Sequence, residues 1–384
     1  MRMVALLITL LTCLAACEPT PSHSVRIATF NVAMGLEESG QLGQALANGN
    51  DTRLQQLAAI LQEVRPDIVL LNEFDFDPMV DAATLFNDNY LAHGQDPIHY
   101  PYHFRAPVNT GMDSGLDLDG DGKTAGPGDA WGFGQFPGQY GMLLLSRYPI
   151  DPVRSRSFGN FHWSALPGAR RPINPDGSPF HPDEDWHQLR LSSKSHWDLA
   201  IDIDGSELHL LAHHPTPPVF DGPEDRNGLR NFDEIRFWLD YTRSSGAEFV
   251  VDDAGVSGGI KPGASFVIAG DFNADPLDGD SVENAIGQLL HANWIDSDCV
   301  PLSTGAEEAA LVQGGINAEQ RGDPAADTSD FNDKFTGNLR LDYLLSSSGL
   351  PVTGCGVFWP ARGAAGHDWV EVSDHRLVWL DISL

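Results

Sequence analysis

The chain has 384 residues, of which 41% are hydrophobic and 9% aromatic, enough to bury a substantial core. Its 54 acidic against 23 basic residues leave a net charge of −31, which argues against broad, salt-sensitive adhesion to nucleic acid or anionic lipid. A phosphate-bearing substrate stays open, because divalent cations screen carboxylates locally.

The first stretch, "MRMVALLITLLTCLAAC", carries Arg2, an apolar run from Val4 to Leu14, and small residues before Cys17. The run is too short to span a bilayer and reads as an export signal over residues 1–16. Its Leu14-Ala15-Ala16-Cys17 ending resembles a bacterial lipobox, in which Cys17 is lipidated and residues 17–24 form a polar tether; the alternative is an ordinary cleaved signal. The expected location is the bacterial cell envelope, lipid-anchored, or otherwise the periplasm or the medium. Of four cysteines, Cys13 leaves with the signal and Cys17 takes the lipid, so Cys299 and Cys355 are expected to form one disulfide.

Residues 25–384 read as one domain with no linker and no internal repeat. "VRIATFNVAM" is a β-rich run, and "TRLQQLAAILQEVRPD" has Leu54, Leu57, Ala58, Ile60 and Leu61 at helical spacing, with Pro66 as its stop. "IVLLNEFDF" follows as a buried strand with acids at its exit. Two loop-rich insertions are expected near 75–139 and 151–195, lengths that loops reach when they are functional or ordered by something bound. "GMLLLSRYPI", "WDLAIDID", "ELHLLAHH", "SFVIAGDF", "LRLDYLLSS" and "HRLVWLDI" read as further strands. "RNFDEIRFWLDYT" reads as a second helix, with Phe232, Ile235, Phe237, Trp238 and Leu239 largely on one side. Strands outnumber helices without regular βαβ alternation, so the expected architecture is an α/β sandwich, two packed sheets flanked by helices.

Several strands end in residues that suit hard metal ions: Asn31, Glu73, His213-His214, Asp271, Asn273, Asp342 and Asp374-His375. Carboxylate and amide oxygens fit Mg²⁺ or Mn²⁺, and His adds proton transfer or a cationic hydrogen bond to a phosphoryl oxygen. Taken one at a time, Asp and Asn equally cap turns, and His fills half-buried gaps. The ordered set "TFNV", "LLNEFD", "GMLLLSRYPI", "AHHP", "GDFN", "RLDYLL" and "SDH" resembles the endonuclease/exonuclease/phosphatase superfamily of DNase I-like metal-dependent phosphohydrolases. The resemblance implies a four-layer α/β sandwich of two mixed sheets. It implies that Glu73 holds the metal with Asn31 and Asp374, and that Asp271 orients or deprotonates water. Asn273 would bind a phosphate oxygen, His375 would stabilise phosphoryl charge, and Asp342 would orient a catalytic His. Neighbours on a strand point to opposite faces, and the resemblance places the first catalytic His where the strand exits, so it implies His214 rather than His213. Asp275, without a counterpart role, is left as a turn residue.

Two stretches depart from the common pattern. Asp117, Asp119 and Asp121, followed by Gly122 and Lys123, match the start of a Ca²⁺ loop, with Asp129 one place beyond the usual last ligand; the alternative is an acidic turn. After His214, Arg226 and Arg230 gather before the helix, either to hold a second phosphate or to pair with Asp225 and Glu234. The expected activity is hydrolysis of phosphodiesters or phosphomonoesters by metal-assisted attack of water, on a small molecule, a lipid head group or nucleic acid. A secreted nuclease, a non-catalytic surface binding protein and an exported calcium-binding structural protein are the alternatives. The lipid anchor is the expected membrane contact, and no protein partner is expected.

Overall fold

The computed structural model describes residues 24–243 and 245–384, so the export signal and the lipidation call at Cys17 lie outside the described residues. The strands are β1 (Ser24–Met34), β2 (Ile68–Phe74), β3 (Tyr102–Phe104), β4 (Met142–Ser146), β5 (Ile150–Ser157), β6 (His196–Ile203) and β7 (Ser206–His213), followed by β8 (Phe266–Asp271), β9 (Ile295–Asp296), β10 (Ser329–Asp330), β11 (Asn338–Leu339), β12 (Asp342–Ser347), β13 (Val352–Phe358) and β14 (Leu377–Ser383). The helices are α1 (Gln41–Asn48), α2 (Thr52–Val64), α3 (Ala82–Phe86), α4 (Asp183–Trp186), α5 (Arg226–Thr242), α6 (Gly287–Leu290) and α7 (Thr304–Gln313).

One six-stranded sheet has the order β13-β14-β1-β2-β4-β3 and the other β5-β6-β7-β8-β12-β9. Each is mixed, with one parallel pair near its centre, β1 with β2 and β7 with β8. The inner faces meet through Ile27, Leu70 and Leu144 on one side and Leu199, Leu210 and Val267 on the other. The outer face of the first sheet offers Phe30, Val69 and Leu71 to Leu54, Leu57 and Leu61 of α2, the apolar stripe legible in the sequence. The outer face of the second offers Leu211 and Ile268 to Ile235, Phe237, Trp238 and Tyr241 of α5. The result is four layers, α/β/β/α, driven by the two-sided burial of central strands whose apolar residues run nearly without interruption.

The disulfide joins Cys299 to Cys355 and so ties the segment after β9 to β13. Helix α5 begins at Arg226, a turn earlier than the sequence suggests, because Gly228 reads as a loop residue. The glycine is there for contact: a Cβ at 228 would meet Asp225 Oδ1 at 2.2 Å and Val282 Cγ2 at 2.6 Å. Residues 150–157, mostly within the second expected loop stretch, instead form the edge strand β5, whose pairing with β6 shifts register between Asp151 and Arg156.

Candidate active site at the sheet ends

The ends of the central strands bring both sheets to one point. Asp271 ends β8 and Asp342 opens β12, and the two stand directly opposite each other in the antiparallel ladder. Like charges so placed repel. The imidazole of His375, just before β14 in the other sheet, relieves this by lying between them: Nδ1 is 2.8 Å from Asp342 Oδ2 and Nε2 is 3.6 Å from Asp271 Oδ2. Thr328 donates its hydroxyl to the same Asp342 oxygen at 2.8 Å. From the first sheet, Asn31 Nδ2 donates to Asp271 Oδ2 at 3.0 Å, and Asn72 Oδ1 accepts the Asp271 N–H at 3.3 Å. His214 follows β7 and sets its Nε2 3.4 Å from Asp271 Oδ2. Gly270 makes the close approach of β7 and β8 possible, since a Cβ there would lie 2.0 Å from the carbonyl oxygen of His213.

Burial and neighbouring charge set the protonation states. Burial alone would lower the His375 imidazole, but Asp342 and Asp271 outweigh it and hold it up at about 10, so the ring is cationic at neutral pH. Burial pushes Asp271 up to about 6 against the pull of His375. His214 is held well below its ordinary value, first by burial and then by Lys194 and His375, and stays neutral. Its Nδ1 and the Oδ1 of Asp342 are buried without hydrogen-bond partners among the described residues, so two polar atoms of the cluster are left for something else to satisfy.

Three non-glycine residues around the cluster adopt left-handed backbone: Ala33 (φ 49), Glu73 (φ 55) and Asn273 (φ 51). Asn tolerates this conformation, whereas Ala and Glu are strained by it, and such strain concentrates at functional sites. Glu73 faces a cavity of about 810 Å³ whose walls come from residues 110–140, 163–194 and 216–230. Both expected insertions therefore contribute to its walls. Burial raises the Glu73 carboxyl, and Lys194 and His375 pull it down from nearby. Lys194 is itself 6% exposed and lowered by burial, with Glu234, Glu73 and Asp271 opposing; its ammonium donates to the Pro215 carbonyl at 3.4 Å.

A model of the Endonuclease/Exonuclease/phosphatase family matches residues 28–375, a span that contains every strand-end residue described above. The chain belongs to this family. Among solved structures it is similar to an endonuclease/exonuclease/phosphatase from Beutenbergia cavernae, 16% identical over 94% of this chain and 72% of that one, with a TM-score of 0.51. It is also similar to a family protein from Leptotrichia buccalis, 16% identical over 94% and 100%, TM-score 0.47. Sphingomyelinase C from Streptomyces griseocarneus is 17% identical over 94% and 99%, TM-score 0.46. At 16% identity the likeness to the Beutenbergia cavernae structure describes the fold alone. No curated protein matches this chain in sequence.

Not every residue expected from the family pattern gathers equally. Asn31, His214, Asp271, Asp342 and His375 are in mutual contact, and Asn273 adjoins them through its N–H, which donates to Asp271 Oδ1 at 2.9 Å. The Asn273 side-chain amide donates to the Pro215 carbonyl at 3.2 Å. Asp374 is exposed, and among the described residues its carboxylate accepts a hydrogen bond only from the Ser373 hydroxyl, at 3.4 Å. His213 lies on the opposite face of β7, 3.2 Å from His196 Nε2 and against the rings of Phe272 and Trp238. Asp275 caps the following turn by accepting from the N–H groups of Leu277 and Asp278.

The acidic loop gathers Asp117, Asp119 and Asp129, whose carboxylates offer oxygens within 4.8 Å of one another. Asp121 is not with them: its carboxylate turns to the Lys123 ammonium at 2.5 Å, so three of the five expected residues gather. Arg226 pairs with Glu224 rather than Asp225. Arg230 does not pair with Glu234; its guanidinium donates to the carbonyls of Trp131, Arg190 and Leu191, while Glu234 accepts the N–H groups of Ser193 and Thr216. The sequence reading passed over Lys194, Asn72 and Thr328. The available signal for Asn72 was a polar residue at an inward-facing position of a buried strand; Thr328 sits in an irregular stretch and gave none.

Proposed function

We propose that this family member is an exported phosphohydrolase, dependent on a divalent cation such as Mg²⁺ or Mn²⁺, that cleaves phosphodiester or phosphomonoester bonds with water. The observation that carries the reading is the pair of opposed buried carboxylates, Asp271 and Asp342, bridged by a cationic His375. A capped strand end needs no such arrangement, whereas phosphoryl transfer rests on positioning and charge stabilisation.

Asp271 takes a proton from water as the water oxygen bonds to phosphorus and the ester P–O bond breaks. The departing oxygen keeps the electron pair of that bond and takes a proton from solvent. His375, fixed by Asp342 on its Nδ1 side, donates from Nε2 to a phosphoryl oxygen where negative charge builds. Neutral His214 borders Asp271 and steadies it, and Asn273 offers its side-chain amide to a second phosphoryl oxygen.

The residues fit a hard cation. Glu73 is a cavity-facing carboxylate that Lys194 and His375 influence only through space, beside the amide of Asn31. The trio Asp271, Asp342 and His375 also offers clustered ligand atoms, but a protonated ring already occupies the space between the two acids and cancels one of their charges, so the cation belongs on the Glu73 side. Glu73, Asn31 and Asp374 would hold it, and when bound it would supply charge neutralisation at the phosphoryl oxygens.

The test is initial-rate hydrolysis by purified protein after chelation and readdition of Mg²⁺, Mn²⁺ or Ca²⁺. The panel is a phosphodiester chromogen, a phosphomonoester chromogen and plasmid DNA. Turnover of a chromogen with Mg²⁺ or Mn²⁺ supports the reading; turnover of none, with the metal content verified, removes it. Export with Cys17 lipidation is part of the same proposal and predicts a diacylglyceryl-modified N-terminal peptide by mass spectrometry of membrane fractions.

A further inference from the structure

The cavity beside Glu73 is unusual in a chain of net charge −31, because three of the five charged residues that line it are cations. Lys194, Arg226 and Arg230 share its lining with Glu73 and Asp119. Arg226 and Arg230 lie four residues apart on α5, one turn, and so share a face of the helix. Arg226 is balanced by Glu224. Arg230 has no carboxylate within ion-pair distance among the described residues: three backbone carbonyls, those of Trp131, Arg190 and Leu191, hold its guanidinium in place at the wall. This half-buried guanidinium is held by neutral acceptors on Nε and Nη2 and feels Glu234 only through space, so the N–H groups of Nη1 are left to meet phosphate or carboxylate.

His181 completes this wall and is 4% exposed. Burial first, and then Arg230, Arg226 and Arg171, depress its imidazole to about 4, so it is a neutral ring with one N–H to give. The mouth carries exposed aromatic rings, Phe133 at 60% and Phe220 at 89%. At about 810 Å³ the space matches a small ligand enclosed on several sides rather than a polymer lying in a groove.

We propose that Arg226, Arg230 and His181 form an anion subsite that holds a second negatively charged group, phosphate or carboxylate, of a small phosphate ester whose scissile phosphoryl group sits at the Asp271–His375 cluster. The inference rests on the phosphohydrolase reading and names its substrate class: compact esters with at least two anionic groups. Lys194, which lines the cavity and acts on both Glu73 and Asp271, joins the subsite to the reacting end. The loops bearing the acidic turn and the aromatic lip then select substrate by enclosing it.

The experiment compares three substrates with the metal-loaded protein: a hexose 6-phosphate, the matching 1,6-bisphosphate, and the 6-phosphate of the corresponding aldonic acid. The expected result is a KM at least tenfold lower for one or both doubly anionic esters, and the arm that gains identifies phosphate or carboxylate as the second group. Arg226→Gln should erase most of that advantage, with a larger rise in KM for the favoured ester than for the monophosphate. Arg230→Lys, which keeps charge but loses the fork, should do the same, with thermal melts showing both variants folded. Equal KM values across the three esters overturn the subsite, as does an advantage that survives in a folded Arg226→Gln protein. If the chromogens are hydrolysed and no preference is found, only this inference fails; if no ester is hydrolysed at all, the phosphohydrolase reading fails with it.

Discussion

The strand-end cluster and the loop-built cavity meet at Glu73, yet they are made in different ways. Asp271, Asp342 and His375 are fixed by ladder register and by one another, and their positions follow from which strand is beside which. The cavity wall comes from three separate stretches of loop and the first turns of α5, held by bonds such as those from Arg230 to three carbonyls. The difference teaches a division of labour. On the proposed reading, chemistry that tolerates little displacement sits on the sheets, and choice of ligand sits on segments that can be rebuilt without disturbing them.

That division can be broken most sharply at Asp271. Asp271→Asn should lower kcat by about 10³-fold, within the range for losing a positioned base, while leaving the melting temperature unchanged or higher, because a buried acid is removed. Phosphate-ester kinetics with a parallel melt check it. The two adjacent histidines sharpen the same point. His214→Phe should lower kcat by about 10²-fold. His213→Phe, on the other face among aromatic rings, should keep activity within a few-fold, since His196 retains its 2.9 Å contact with the Glu234 carbonyl. Equal losses in both would contradict the assignment of faces.

A smaller effect is expected at Thr328, whose hydroxyl donates to Asp342 and accepts the N–H groups of Leu341 and Asp342. Thr328→Val should cost about 1–3 kcal/mol of stability by stranding these groups, with a loss in kcat of about tenfold and less change in KM. Denaturant melts and steady-state kinetics read the two components separately.

The mildest prediction lies outside both regions, at Asp327. Burial, then Asp275, Asp278 and Asp323, push its carboxyl up to about 8, and its Oδ2 has no hydrogen-bond partner among the described residues. A carboxyl raised in the folded state contributes stability that is complete below its unfolded value of about 4 and is lost as pH rises to about 8. Asp327→Asn should therefore stabilise the protein by about 1 kcal/mol or more at pH 8 and by little at pH 4.5, read as the shift in denaturant midpoint at each pH.

How much of this was legible in the sequence follows the same division. The stripe Leu54-Leu57-Leu61 and the near-continuous apolar strands announced packed sheets with helices outside, because burial leaves a periodic record, and the family resemblance implied the four layers. Asp271 and His375 were legible because family motifs sit at strand ends. Arg230 was visible as a candidate but not in its contacts: carbonyls as partners leave no trace in the pattern of charges. Gly228 hid the first turn of α5, since its reason for being glycine is a contact with Val282, far along the chain. The acidic loop showed five candidate ligands, and only side-chain placement separates Asp121, paired with Lys123, from the other acids.

The most direct test of the central claim is hydrolysis of a phosphate ester in heavy-oxygen water, with wild type and Asp271→Asn side by side. The account predicts a single heavy oxygen in the phosphate-bearing product for each turnover by the wild type, and almost no turnover by the variant. Heavy oxygen found in the alcohol, or turnover undiminished in Asp271→Asn, would contradict attack of an Asp271-activated water on phosphorus.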